Sequence, residues 1–325
     1  MIWVAWRQHR AQLITLAALL LLGSAVVLLL HSSMTGYIDE HGLQACTVDG
    51  RIGDDCTQAR RAFQAEWIDR LKTGQAALLA LPVVLGLFCA APLFAREIEH
   101  GTHVLAFTQS VSRLRWMITK VAVLLLPSAV VVLVLQLLVG RWVAAAGMLG
   151  TLRYSPLHWL SFDSTGPMPV AHLLFSFAAG AFLGVVLRRS VMAVAATFAA
   201  LIALRVAVSN VDLNFVPVQR LTTPDPAGDA NPRDFGAMVL DSGFLGEDGQ
   251  PLNPEPLDVY ACPTPPDGSA TDFGACYAAK GLTGRFADVI HPSVAPGLQL
   301  AEFAAFGIAA VLLLVGTAWA LRRQH

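Results

Sequence analysis

The sequence has little charge. Only 14% of its 325 residues are Asp, Glu, Lys or Arg, about half the share found in a typical soluble domain. A formal net charge of −1 argues against a basic nucleic-acid-binding protein, and we predict no nucleic-acid partner. Five cysteines are too few for a disulfide-dense secreted module. A hydrophobic content of 55% and a mean hydropathy of +0.58 exclude a disordered chain.

The motifs of common enzyme classes are also missing. The sequence contains no G-x-x-x-x-G-K-[ST] phosphate loop and no Gly-Lys dipeptide, and it lacks H-E-x-x-H, C-x-x-C, G-x-S-x-G and G-x-G-x-x-G. His100 and His103 are three residues apart, but no thiolate or third ligand accompanies them. We therefore predict a chain with no catalytic, cofactor-binding or metal-ligating residues, and no ATPase activity of its own.

What the sequence does have is long apolar runs. Six of them reach or approach the roughly 20 residues that a helix needs to cross a bilayer. They are residues 11–30, 75–95, 121–147, 170–187, 190–208 and 299–321. None alternates in the manner of a membrane β-barrel strand. The sequence predicts an all-α integral membrane protein with six transmembrane helices.

The few charges orient these helices. Ten Lys and Arg residues against two Glu lie in segments 1–10, 96–120, 188–189 and 322–325. Twenty of the chain's 23 acidic residues lie in the remaining connections, which are 31–74, 148–169 and 209–298. Because basic residues accumulate on the cytoplasmic side, we predict that both termini are cytoplasmic. Connections 31–74 and 209–298 then form two large extracellular loops.

The two large loops differ in composition. Within the first, Phe63, Trp67 and Leu71 recur at helical spacing in residues 57–72, which predicts an amphipathic helix at the outer membrane interface. The second is rich in Pro, Gly and Asp, so we expect turns and irregular structure around a small stapled core.

Two charges lie within predicted helices. Arg205 and Glu302 are both near the outer ends of their spans, where long side chains can reach the interface. An intramembrane ion pair between Arg205 and Glu302 is the alternative, and the sequence leaves both interpretations open.

The connection 96–120 is the most informative stretch. It reads REIEHGTHVLAFTQSVSRLRWMITK, with an acidic start, a Gly-Thr pair, an amphipathic run and a basic lead into the next span. A short helix parallel to the membrane, with Gly101 allowing the bend, would let a cytoplasmic protein dock on it.

This connection resembles the one between the second and third spans of ABC-2 type permeases, the membrane subunits of ATP-binding cassette exporters. The resemblance implies that it couples the chain to an ATPase. The matching or neighbouring residues assigned to ATPase coupling are Glu97, Glu99, Gly101, Thr102, Phe107, Ser112, Arg113 and Lys120. Residues 1–10 similarly resemble the cytoplasmic interfacial helix of these permeases.

The resemblance implies partners and a cellular location as well. We expect two copies of a cytoplasmic ABC ATPase that carries ATP and Mg²⁺, a second copy or homologue of this permease, and surrounding membrane lipid. The composition, rich in Arg, Ala and Val, favours a bacterial plasma membrane. The substrate would be a lipid, a drug or a peptide-like molecule, because the spans are apolar.

Two other functions fit the composition. A membrane-anchored sensor or binding protein with an extracellular cap would have no need of a dockable inner loop. A carrier that works without ATP is the other alternative, although no ladder of acidic residues crosses the spans.

The cysteines provide an independent prediction. Cys46 and Cys56 lie in one outer loop and Cys262 and Cys276 in the other, whereas Cys89 lies in a span. Pairing within each loop suits an oxidising compartment, so we predict Cys46–Cys56 and Cys262–Cys276 disulfides.

Alkylation of the denatured chain without reductant should therefore modify one thiol, that of Cys89, as measured by intact mass. Prior reduction should raise the number to all five cysteines. Five modified thiols without reduction would disprove the pairings.

Overall fold

The computed structural model describes residues 2–48, 54–101, 112–151, 155–211, 216–226, 236–252, 262 and 271–323. The chain divides into two compact units. The helical unit comprises Met1–Leu152, Trp159–Asn214 and Ala295–His325, and the sheet unit comprises Arg153–His158 and Phe215–Val294.

The helical unit contains nine α-helices within its described residues. They are α1 (Ile2–Glu40), α2 (Gln44–Val48), α3 (Asp54–Leu85), α4 (Ala91–Glu99), α5 (Arg113–Ala146), α6 (Trp159–Ser164), α7 (Met168–Leu187), α8 (Ser190–Val211) and α10 (Ala295–Arg323). Helix α9 (Phe273–Ala279) belongs to the sheet unit. A π turn, Gly86–Ala90, joins α3 to α4, and a 3-10 turn, Gly147–Leu149, follows α5. Helix α1 packs along α5, and α7 packs along α10.

Six helical stretches of the described chain are long and apolar enough to cross a membrane. They are His9–Glu40, Gln58–Glu99, Arg113–Leu149, Met168–Leu187, Ser190–Ala207 and Pro292–Arg323. Each contains or overlaps one of the six predicted spans, so the predicted number of spanning helices agrees with the structure. Helix α1 is continuous from Ile2, with no break at residue 10 to separate the predicted interfacial helix from the first span.

The second span bends at a π turn beside Pro92. Proline has no N–H to donate to the carbonyl four residues earlier, which is that of Phe88. The side chain of Gln12 on α1 reaches this carbonyl, with Nε2 3.5 Å from the Phe88 oxygen. On the other side, Ser176 Oγ on α7 donates to the Pro82 carbonyl at 2.7 Å. Side chains of neighbouring helices thus give hydrogen-bond partners to carbonyl groups in and before the π turn, because a backbone polar group buried in a membrane protein is costly without a partner.

Two glycines let α7 approach this bend closely. A Cβ atom on Gly180 would lie 2.7 Å from the carbonyl oxygen of Gly86 and 2.9 Å from the backbone nitrogen of Ala91. A Cβ atom on Gly184 would lie 2.5 Å from the carbonyl oxygen of Ala91. Small residues at a membrane helix interface permit such backbone contact, and here they fix α7 against α4.

The predicted amphipathic helix 57–72 is the first half of α3. The apolar face identified from its spacing is correct, but protein covers it: Phe63, Trp67 and Leu71 are buried in the core of the helical unit. The Tyr37 ring, on the extension of α1 beyond its predicted span, contacts both Phe63 and Trp67. Periodicity identifies an apolar face but not what covers it, and the location of this helix at the outer membrane interface stays a prediction.

The sheet unit corrects the expectation of an all-α chain. Its described residues contain four strands, which form an antiparallel sheet in the order β1-β4-β2-β3. They are β1 (Gln219–Thr223), β2 (Met238–Leu245), β3 (Pro251–Leu252) and β4 (Gly284–Ile290). Helix α9 (Phe273–Ala279) precedes β4. Its Tyr277 packs with Phe244 and Leu282, beside Cys262.

A cross-strand ion pair fastens β1 to β4. Arg220 and Asp288 lie opposite each other in the register, and the guanidinium donates to both carboxylate oxygens at 2.7 Å. These hydrogen bonds lower the pKa of Asp288 and raise that of Arg220. The Arg220 guanidinium also lies over the Phe286 ring, 4.8 Å from its centroid.

Both predicted disulfides are present in the structure. Cys46 is bonded to Cys56, with their Cα atoms 5.8 Å apart, and joins α2 to the start of α3. Cys262 is bonded to Cys276 of α9, with their Cα atoms 5.9 Å apart. Cys89, in the π turn, is the free and buried cysteine.

The close approach of α7 to the π turn predicts the effect of one added methyl group. Gly180→Ala should destabilise the protein by about 1–3 kcal/mol, because the new Cβ meets backbone that cannot move away without separating the helices. Thermal unfolding in detergent measures the effect.

Gly140→Ala is the matched control. Gly140 lies in α5, and a Cβ atom there meets nothing within 4 Å. This substitution should leave the melting temperature unchanged or raise it, since alanine has the higher helix propensity. An equal loss of stability in both variants would contradict the close-packing account.

Candidate coupling site at four helix ends

Polar side chains tie together the C-terminal ends of α4 and α10 and the N-terminal ends of α5 and α8. We call this group the helix-end cluster. It consists of Glu97, Glu99, Ser112, Arg113, Lys120 and Ser190. All but Ser190 are residues that the sequence assigned to coupling. The cluster surrounds the point where α4 ends and α5 begins.

A buried ion pair joins α4 to α5. Lys120 Nζ contacts Glu97 Oε1, and the lysine side chain is only 5% exposed. The ammonium also lies 4.7 Å from the centroid of the Trp116 ring, which in turn packs on Phe94 of α4. A charge removed from water is very costly unless it is paired, so this contact holds the two helices in one register.

A second contact joins α4 to α8. Glu99 Oε2 accepts hydrogen bonds from the backbone N–H and the hydroxyl of Ser190, at 3.0 and 2.9 Å. The first N–H groups of a helix lack partners within the helix, and a carboxylate there also complements the helix dipole. Glu99 therefore caps α8 from another helix. Only Arg188, with a left-handed φ of 55°, and Arg189 separate α7 from α8.

A third contact joins α5 to α10. Arg113 Nη1 donates to the carbonyl oxygens of Leu321 and Arg322 at 2.8 and 3.0 Å. These are among the last carbonyls of α10, which have no helical partner of their own and attract a cation. Ser112 meanwhile caps α5, since its Oγ accepts from the backbone N–H of Arg115 at 3.3 Å.

Gly101 lies where the connection leaves α4. Its φ is +70°, a conformation that glycine adopts readily, and its N–H donates to the Ile98 carbonyl at 3.2 Å. The bend predicted for this residue is thus present. Two other residues assigned to coupling, Thr102 and Phe107, lie outside the described residues, as does the predicted helix that would contain Phe107.

Sequence reasoning missed the partners of these residues. Ser190 carried a usable signal, since a serine immediately before an apolar run is a typical N-cap. The carbonyls of Leu321 and Arg322 carried none, because every helix ends in such groups. The signal for Trp116 was only its position beside basic residues at the start of a span.

Elsewhere in the helical unit, Arg205 has a partner that the sequence did not suggest. Its guanidinium pairs with Asp163 on α6. The ion pair between Arg205 and Glu302 stays a prediction. The side chain of Asp163 is only 3% exposed. The segment containing Asp163 was expected to be an outer loop, so its carboxylate was not considered as a neighbour of the spans.

The fold and the cluster define a multi-pass membrane protein in which polar contacts tie four helix ends around one connection. Residues 17–211 match the family described as ABC-2 membrane transporter related, and the chain belongs to this family. It is therefore a transport permease, a membrane subunit that is not itself an ATPase, from a family that normally works with a cytoplasmic ATPase partner. No curated protein and no solved structure matches the chain significantly.

The buried ion pair predicts a large effect of removing one partner. Lys120→Met should destabilise the protein by about 3 kcal/mol or more, because it breaks the buried ion pair with Glu97. Adding Glu97→Gln should restore much of this loss. Thermal unfolding of the single and double variants measures the coupling between the two residues.

Arg70→Met provides a matched control. Arg70 forms an ion pair with Glu66 within α3, but both side chains are about half exposed, at 46% and 49%. Its loss should cost less than about 1 kcal/mol. Equal effects of Lys120→Met and Arg70→Met would show that burial of the Glu97–Lys120 pair has no energetic importance.

Proposed function

We propose that this permease is the membrane subunit of an ATP-driven exporter. Two copies of a cytoplasmic ATPase, which hold the ATP and Mg²⁺, dock on connection 96–120 of two permease chains, either identical or related. The helix-end cluster is the observation that carries this proposal, because it fastens both ends of the docking connection to four helices.

The proposed orientation places the cluster in the cytoplasm. The supporting observation is the concentration of Lys and Arg in the segments at this end. The helix ends that they flank are also the ones joined by Arg113 and Glu99. A plasma membrane, in a bacterium, is the location that this orientation and the composition favour.

The proposed coupling mechanism uses the three contacts of the helix-end cluster, which join α4 to α5, α4 to α8 and α5 to α10. A force on residues 102–111 reaches α4 at Gly101 and α5 at Ser112. The Glu97–Lys120 pair prevents these helices from sliding past each other, and Glu99 carries the movement to α8. We expect closure of the ATPase dimer to tilt these helices together with α10 and to change access to a pathway between the two permease chains.

An amphipathic substrate agrees with a second feature of the helical unit. A groove of about 600 Å³ lies between α1, α3 and α5, lined mainly by Leu and Val side chains, with Asp69, Arg70 and Thr73 at one end. Such a surface suits a molecule with an apolar body and a polar end, whether a lipid, a drug or an amphipathic peptide. Much of α1 is apolar and uncovered within this chain, which leaves room for a second permease copy or lipid.

The proposal predicts that Gly101→Pro uncouples ATP turnover from transport. Proline cannot adopt a positive φ, and it would remove the N–H that bonds to Ile98. The chain would be co-expressed with a cytoplasmic ABC ATPase that co-purifies with it, and the complex would be reconstituted in vesicles. The variant complex should stay assembled and hydrolyse ATP, but it should no longer move the labelled lipid, drug or peptide that the wild-type complex moves.

Gly249→Pro is the matched control for this experiment. Gly249 has a φ of +71° and open space around it, and its N–H donates to the Gly246 carbonyl at 2.9 Å. It lies in the sheet unit, so transport should persist. Transport that survives Gly101→Pro, or that continues in the absence of any ATPase, would contradict the proposal.

A further inference from the structure

A second cavity lies in the helical unit, away from the helix-end cluster. It has a volume of about 180 Å³ and is open on one side. Its apolar lining comes from Leu79, Val83, Phe175, Leu201, Leu204 and Phe306, on α3, α7, α8 and α10. An apolar cavity of about 150 Å³ is known to accept a benzene molecule, so this one has room for a ring or a short stretch of alkyl chain.

One end of the cavity is polar, and its exposed charge is positive. Arg205 Nη1 donates to Asp163 Oδ1 at 3.1 Å, and its other terminal nitrogen contacts Oδ2. The carboxylate is almost completely covered at 3% exposure, whereas the arginine side chain is 41% exposed. A guanidinium has five N–H groups, and these two contacts use only part of that set.

Aromatic side chains complete the polar end. Trp159 is 56% exposed beside Arg205 in the cavity wall. The His172 ring meets Phe306 edge to face, with centroids 5.2 Å apart. Exposed Trp and Arg near the end of a span are typical of the depth at which lipid headgroups lie.

The distribution of charge selects among ligands. The exposed guanidinium would repel a cation, and the Asp163 carboxylate, which could attract a cation, is covered by protein. A fully apolar molecule would gain nothing from the arginine. A phosphate or carboxylate can instead form charge-assisted hydrogen bonds with the exposed side of Arg205, and Asp163 holds the guanidinium in place.

We propose that this cavity binds an anionic amphiphile from the membrane, with its phosphate or carboxylate on Arg205 and the adjoining methylene groups between α3, α7, α8 and α10. The cavity is too small for a whole acyl chain, so the remainder of the lipid lies outside it. Binding at this site requires neither ATP nor an ATPase, and it is therefore separate from the proposed export function.

Native mass spectrometry of the detergent-solubilised chain tests the proposal. Phosphatidylglycerol and diacylglycerol, which lacks the phosphate, would be titrated in parallel with the same acyl chains. Phosphatidylglycerol should bind at least about tenfold more tightly, a difference of about 1.4 kcal/mol. Millimolar inorganic phosphate should not displace it, because phosphate lacks the apolar part. Equal binding of the two lipids, or complete displacement by phosphate, would overturn the proposal.

Two variants locate the binding. The double variant Arg205→Gln, Asp163→Asn removes the guanidinium without leaving a buried carboxylate unpaired, and Leu204→Trp fills the cavity while keeping Arg205. Each should weaken phosphatidylglycerol binding about tenfold or more. The double variant Arg220→Gln, Asp288→Asn, which removes a similar ion pair from the sheet unit, should not. Unchanged binding in both cavity variants, with their folding verified by thermal unfolding, would overturn the proposed site.

Discussion

The buried ion pair between Glu97 and Lys120 is the interaction on which the arrangement of the helix ends depends. Neither charge can leave the other without a large cost, because the lysine side chain is almost fully covered by protein. This fixes the end of α4 against the first turns of α5. The connection between these helices therefore starts and ends on a rigid support, although connections are usually the most mobile part of a chain.

Further contacts extend this rigid support to other helices. Glu99 caps α8, Arg113 holds the end of α10, and Gly180 and Gly184 allow α7 to touch the backbone of the π turn and α4. Packed elements of this kind move as bodies and do not deform continuously. In the proposed exporter, a movement at one short connection would thus reach most of the helices on this side of the chain.

The sequence predicted the features that follow from local chemistry. The lengths of the apolar runs predicted the six spans, and the spacing of Phe63, Trp67 and Leu71 correctly identified the apolar face of their helix. That face is covered partly by the continuation of α1 beyond its predicted span, and the periodicity of one helix does not show which other helix packs on it. Arg205 and its partner Asp163 are far apart in sequence, so their pairing needed the fold. The strands of the sheet unit were missed because β4, an inner strand, is buried at five of its seven residues and its burial does not alternate.

The central claim is that the ends of α4 and α8 move as one body. Electron spin resonance distances in the assembled complex test it most directly, with labels at the exposed positions His100 and Arg189 in a chain whose Cys89 is replaced by serine. When a non-hydrolysable ATP analogue binds, the distance between the two labels within a chain should stay constant, while the His100–His100 distance between the two permease chains changes. A change of several ångströms within one chain, with no change between chains, would contradict the account.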